Sequence, residues 1–156
     1  MLVCLIVGFV VVCCFKFRLY PSKKQVVLLN QHLWVSKNLW NFLLDFNKRL
    51  YADFGRFATM RTMGLMVKNS GLHSQVAQQV FVRLQKALKR KVSMKKLGLK
   101  CGFPRFKSFH DIKSLVYPQS GFKLAGKKLL ATPFGELAIK QHREMGERGK
   151  IKQLTL

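Results

Sequence analysis

Acidic side chains are almost missing from this 156-residue chain: six Asp and Glu stand against 29 Lys and Arg, a formal net charge of +23. Self-repulsion at that imbalance weakens a compact state unless a polyanion offsets it, so nucleic acid is the first partner implied and an anionic membrane surface the second. So few acids also leave little room for carboxylate chemistry. Asp45 and Asp53 lie on or near one helix, Asp111 falls in a loop, and Glu136, Glu144 and Glu147 come late, so no set suited to two-metal phosphoryl transfer converges.

Metal-ligand spacing is missing as well. Cys4, Cys13, Cys14 and Cys101 include no C-x-x-C pair, and His32, His73, His110 and His142 are scattered. A zinc site has no support, a disulfide framework does not fit a nucleic-acid-facing chain, and no cofactor is implied. There is no internal repeat. The longest uncharged apolar run, residues 2–15, would reach about 21 Å as a helix against a hydrocarbon core of roughly 30 Å. It has neither the positive n-region nor the small-x-small site of a secretory signal. Its Val, Ile and Phe suit a strand. Residues 1–14 are therefore read as an extension or strand in preference to an interfacial membrane anchor or a signal.

What the chain does contain is ordered. Residues 15–20 alternate with period 2, placing Phe15, Phe17 and Leu19 on one face of a half-buried strand that also carries Lys16 and Arg18. Pro21 ends it, and Ser22 with Gln25 forms a capping-box signature for a helix. Val26, Leu29, Leu33, Trp40, Leu43, Leu44 and Leu50 give that helix an apolar stripe to about Tyr51, with Trp34 and Trp40 read as core anchors. A second helix is expected within 54–69, with Met60, Met63 and Met66 on its apolar face. Over 74–90, Ala77, Val80, Phe81, Leu84, Ala87 and Leu88 mark the buried face of a third. Its other face carries Gln75, Gln79, Lys86, Lys89 and Arg90, with Gln78 at the edge. Such a face is usually just solvated, but glutamine amides can pair with a base edge and the cations can hold phosphates.

Lys89, Arg90, Lys91, Lys95, Lys96 and Lys100 then follow without an intervening acid. Residues 99–124 interleave Phe103, Phe106, Phe109, Tyr117 and Phe122 with Lys100, Arg105, Lys107, Lys113 and Lys123, offering phosphate neutralisation together with faces for stacking. Gly102, Pro104, Pro118 and Gly121 forbid a helix here, and short strands are expected near 115–117, 121–125, 128–130, 136–140 and 151–156.

The blocks G-F-P-R-F-K-S at 102–108 and Y-P-Q-S-G-F-K-L at 117–124 resemble signature blocks of the TnpB (OrfB) proteins of insertion sequences. F-K-F-R-L-Y-P-S-K-K-Q at 15–25 and S-Q-V-A-Q-Q-V-F-V-R-L-Q-K-A at 74–87 agree in order and spacing, and the closing H-R-E-M-G-E-R-G-K-I-K-Q-L-T-L is similar to that family's next strand pair. The resemblance implies an α+β fold, a split β-barrel (wedge) interrupted by a helical recognition insertion of about three helices. Residues 15–21 would be the first barrel strand, 22–98 the insertion and 99–156 the remaining, incomplete barrel strands. It implies DNA beside the transposon end as partner, with guide RNA and a separately encoded nuclease portion as further candidates. Lys37 and Asn41 occupy the places of a family Arg and Asn, Trp34 stands where a glycine is usual, and Val116 where Thr is frequent. Ser74, Gln75, Gln78 and Gln79 would help to read a short motif, with Tyr117 and Gln119 of the Y-P-Q turn. Lys16, Arg18, Lys86, Lys89, Arg90, Lys91, Arg105, Lys107 and Lys123 would hold the backbone. The family's RuvC-like carboxylates and zinc ribbon have no counterpart in this sequence, so a truncated, cytoplasmic, non-cleaving nucleic-acid binder is expected. A small basic membrane-associated protein and a ribosomal-protein-like RNA binder are the alternatives, and the latter explains the charge but not the ordered blocks.

Overall fold

The computed structural model describes residues 2–8, 12–112, 114–143 and 151–156, with side chains from Cys14 onward. Two compact units result, Met1–Leu33 with Ser114–Leu156, and Trp34–Lys113.

The first unit is a sheet. Strands β1 (Leu2–Gly8) and β2 (Val12–Tyr20) form an antiparallel hairpin registered from Leu2 opposite Arg18 to Gly8 opposite Val12. They are joined by β3 (Val116–Tyr117), β4 (Phe122–Ala125), β5 (Lys128–Ala131), β6 (Gly135–Lys140) and β7 (Ile151–Thr155). Among the described residues the order is β3-β7-β1-β2-β6-β5-β4, antiparallel at each pairing. Laid flat, the outer strands β3 and β4 would stand about 29 Å apart, six spacings of about 4.8 Å. Residues 118–121 join them and extend at most about 18 Å. The sheet must therefore curl, and it does. Tyr117, fully buried on β3, donates its hydroxyl to the Thr132 carbonyl at 2.6 Å and sets its ring edge against Phe122, centroids 6.5 Å apart. Alternation puts Phe17, Leu19, Leu129, Leu137, Ile139 and Leu154 into the hollow of the curl. The β4–β5 turn is a two-residue loop whose first position, Gly126, has φ +53°, which a side chain would oppose.

Helix α1 (Lys23–Phe54) starts at the expected capping box: Gln25 Oε1 accepts from Ser22 N at 2.9 Å and Ser22 Oγ from Gln25 N at 3.3 Å. Gln25 Nε2 also donates to the carbonyls of Phe134 (3.0 Å) and Glu136 (2.7 Å), so one side chain both caps the helix and ties it to β6.

The second unit packs the rest of α1, α2 (Met60–Met66) and α3 (Ser74–Lys96) around Trp40, Leu43, Leu44, Met63, Phe81 and Leu84. Gly55 at φ +65° ends α1, and Thr59 Oγ1 caps α2 by accepting from Thr62 N at 3.2 Å. Between them Asn47, fully buried, accepts from Ala58 N at 2.9 Å and donates to Leu43 O at 2.7 Å. No apolar residue could hold that turn. Helix α3 runs on through the first part of the cationic run, to Lys96.

Two expectations are corrected. Trp34 is not a core anchor: it is 53% exposed, because the buried line of α1 passes through Leu33, Ser36, Leu39 and Trp40, one position off. Of the three methionines only Met63 is fully buried, and Met60 faces out. The apolar N-terminal run folds as strand, β1 lying mid-sheet between β7 and β2, and no helix among the described residues is long and apolar enough to cross a membrane.

Replacing Asn47 with Ala leaves the Ala58 N–H buried without a partner, and denaturant melts should show a loss of about 1–3 kcal/mol. Deleting residues 1–8 strips pairing from β2 and β7 together; hydrogen exchange should then accelerate in both strands with a lower melting temperature, and unchanged protection would show that β1 is dispensable.

Candidate nucleic-acid interface

Among the described residues only two ion pairs form, Asp45–Arg49 and Lys128–Glu136, each at 2.8 Å and solvent-exposed. The positive field is thus largely uncompensated within the chain, and the question becomes which cations are free to meet a phosphate.

In the helical unit, α3 contains no acid. Its buried side is Val76, Ala77, Val80, Phe81, Leu84 and Leu88; Ser74, Gln78, Lys86, Lys89 and Arg90 are exposed and Gln79 half-buried. Gln78, Lys86 and Lys89 follow at helical spacing, so an exposed amide near the start of the helix and two exposed ammonium groups lie along one side. Gln75 departs from the expectation that all three glutamine amides face outward. Its Oε1 is enclosed and makes no hydrogen bond among the described residues. Arg83, which the sequence reading passed over, falls at i+4 from Gln79 and three before Lys86; partial burial lowers its pKa.

The basic loop packs onto the same unit. Asn41 clamps it with both ends of its amide, Nδ2 donating to Lys107 O at 2.9 Å and Oδ1 accepting from Lys107 N at 2.8 Å. Trp40 Nε1 donates to Arg105 O at 3.2 Å. Lys107 lies 3.8 Å above the Trp40 ring centroid, and burial first, then Arg83, lowers its pKa. Lys91 donates to the Cys101 carbonyl at 2.9 Å and sits 4.5 Å over Phe103. Asn41 and Lys91 are therefore committed to holding the loop. Arg105 remains exposed, and Lys37 is half-buried, its ammonium 5.5 Å from the Trp34 ring. Ser108 donates through its N–H (2.7 Å) and hydroxyl (2.9 Å) to Asp111, bonds that hold the Asp111 carboxyl below the usual range.

In the sheet unit, Lys16 and Arg18 are exposed on β2, and Arg18 sits directly across from Lys140 of β6. A like-charged cross-strand pair is unfavourable in itself and becomes favourable under an anion. Gln119 and Lys123 are exposed near the β3–β4 turn. Tyr117 is a correction: as the buried closure residue of the sheet it offers no face to a base, and its burial raises its pKa. The structure thus brings together Gln78, Gln79, Lys86, Lys89 and Arg90 on one helix, and Lys16 with Arg18 on one strand. No group of three His, Cys, Asp or Glu suited to a metal ion occurs among the described residues.

Lys91→Ala should lower stability by about 1–2 kcal/mol, through the lost carbonyl bond and ring contact, with little change in the salt dependence of DNA binding. Lys89→Ala with Arg90→Ala should do the reverse, leaving the melt intact and flattening the slope of log K against log salt by about 0.9 per lost phosphate contact. Fluorescence anisotropy over a salt series separates the two.

Residues 14–56 match the family model HTH_OrfB_IS605, described as a helix-turn-helix domain. A comparison with curated proteins gives no match. In this structure the matched segment is most of strand β2, a short turn and the continuous helix α1. The N-terminal part of the chain is TnpB/OrfB-like, of the kind found in IS605-type insertion sequences, and DNA is the partner which that match supports.

Proposed function

We propose that this chain is the DNA-binding front portion of a TnpB-like insertion-sequence protein, with the curled sheet as its wedge-like part and the helices within residues 22–98 as its recognition insertion. It binds duplex DNA beside the transposon end, reads a short motif there, and accepts guide RNA as a second polyanion. No cutting is assigned to it, since its described acids form no cluster suited to phosphoryl transfer. The carrying observation is α3, a 23-residue helix buried on one side, free of acids throughout, and exposing Gln78 ahead of Lys86, Lys89 and Arg90. Phosphate contacts from the three cations would fix the register on the duplex, and the amide would then lie against base edges.

Selection from random duplexes should recover a short motif. Gln78→Ala should then narrow the gap between that motif and scrambled DNA by roughly 1–3 kcal/mol, with the salt slope nearly unchanged. If the intact protein enriches nothing, or the variant weakens all sequences alike, α3 is not a reader. Cleavage of the selected duplex by the purified chain with Mg2+ would overturn the non-cleaving part of the reading.

A further inference from the structure

Segment 99–112 resolves into aromatics that are used internally and aromatics that are not. Phe103 is half-buried, its ring meeting Tyr51 at 5.6 Å and Phe57 at 6.1 Å between centroids. Phe106 is different. It is 49% exposed, although the backbone is held on either side of it. Trp40 fixes the carbonyl of Arg105 before it, and Asn41 fixes both backbone groups of Lys107 after it. An exposed phenyl gains nothing from water, so three long-range hydrogen bonds here hold in place a ring that the core does not use. Lys48 of α1 sits 4.2 Å from the Phe106 centroid. Exposed Arg105 precedes the ring.

The geometry points to Phe106 as a stacking platform for an unpaired base, with Lys48 and Arg105 placed for the flanking phosphates. Resting on the DNA-binding reading above, this adds a preference for nucleic acid that has single-stranded character next to the duplex. A ring fixed by its neighbours' backbone loses little freedom on stacking, and the ammonium beside it brings the positive charge that a base-and-phosphate ligand needs. Stacking is tolerant of sequence, because every base has a π-face. It therefore complements hydrogen-bond reading by α3 without duplicating it.

The test compares a blunt duplex with the same duplex carrying an unpaired tail, made once as DNA and once as RNA, by anisotropy at fixed salt. The intact protein should bind a tailed duplex more tightly than the blunt one. Phe106→Ala should weaken tailed binding about tenfold and leave blunt binding unchanged. Phe106→Trp should restore the gain, whereas Phe106→Leu, which keeps apolar bulk without a π-face, should not. A loss on either tail supports the platform, and the tail that loses more identifies the strand. Equal effects of Phe106→Ala on blunt and tailed duplexes, rescue by Leu, or no effect at all overturns it. Tight blunt binding with no gain from either tail sinks the platform alone; failure to bind any duplex sinks the DNA-binding reading with it.

Discussion

Positive charge without carboxylates to absorb it is the constraint under which this chain folds, and aromatic rings are its answer. Among the described residues six cations lie against rings: Arg18 on Tyr20, Lys37 on Trp34, Lys48 on Phe106, Arg56 on Phe54, Lys91 on Phe103 and Lys107 on Trp40. Among the same residues, ion pairs to acids number two. A carboxylate attracts an ammonium and also cancels its charge; a ring quadrupole attracts it, by about 0.5–1 kcal/mol when exposed, and cancels nothing. The fold thus gains local stabilisation while its net field survives at long range. That field is what a polyanion meets.

Inside the helical unit, neutral polar groups do the holding that ion pairs do elsewhere. Asn47 satisfies a buried N–H at the α1–α2 turn, Asn41 grips the loop backbone from both sides, and Trp40 adds its indole N–H. Such bonds do not depend on salt in the way that surface ion pairs do. Scaffold and charge are in this way separated: added salt should screen the exposed cations of α3 well before it loosens the clamp on Lys107.

Local patterns were legible in the sequence and long-range partners were not. The alternation at Phe15, Phe17 and Leu19, the Ser22–Gln25 box, the α3 periodicity and the strands after residue 114 appear within a few residues of where periodicity and turn chemistry place them. Trp34 was misplaced because the core line of α1 admits Ser36 and Asn47, polar residues that an apolar stripe cannot reveal. Asn41 and Lys91 read as binders because their partners, Lys107 and Cys101, are 66 and 10 residues away in the chain. Tyr117 looked like a platform until sheet closure placed Thr132 at its hydroxyl. For Asn41, Lys91 and Tyr117 the side chain suited either role, and a backbone group elsewhere in the chain decided between them.

The match over residues 14–56 acquires a physical meaning from this division. It carries a helix-turn-helix description, a motif in which a second helix enters the major groove, yet it covers one unbroken helix here. Within the helical unit, what α1 supplies is a buttress: Trp40 and Asn41 for the loop backbone, Lys48 for the exposed ring, Asn47 for the turn into α2. The acid-free face with freely exposed cations belongs to α3, outside the matched segment. On the proposed reading, a substitution on the buried side of α1 acts on binding through stability, and one on the exposed side of α3 acts through contact.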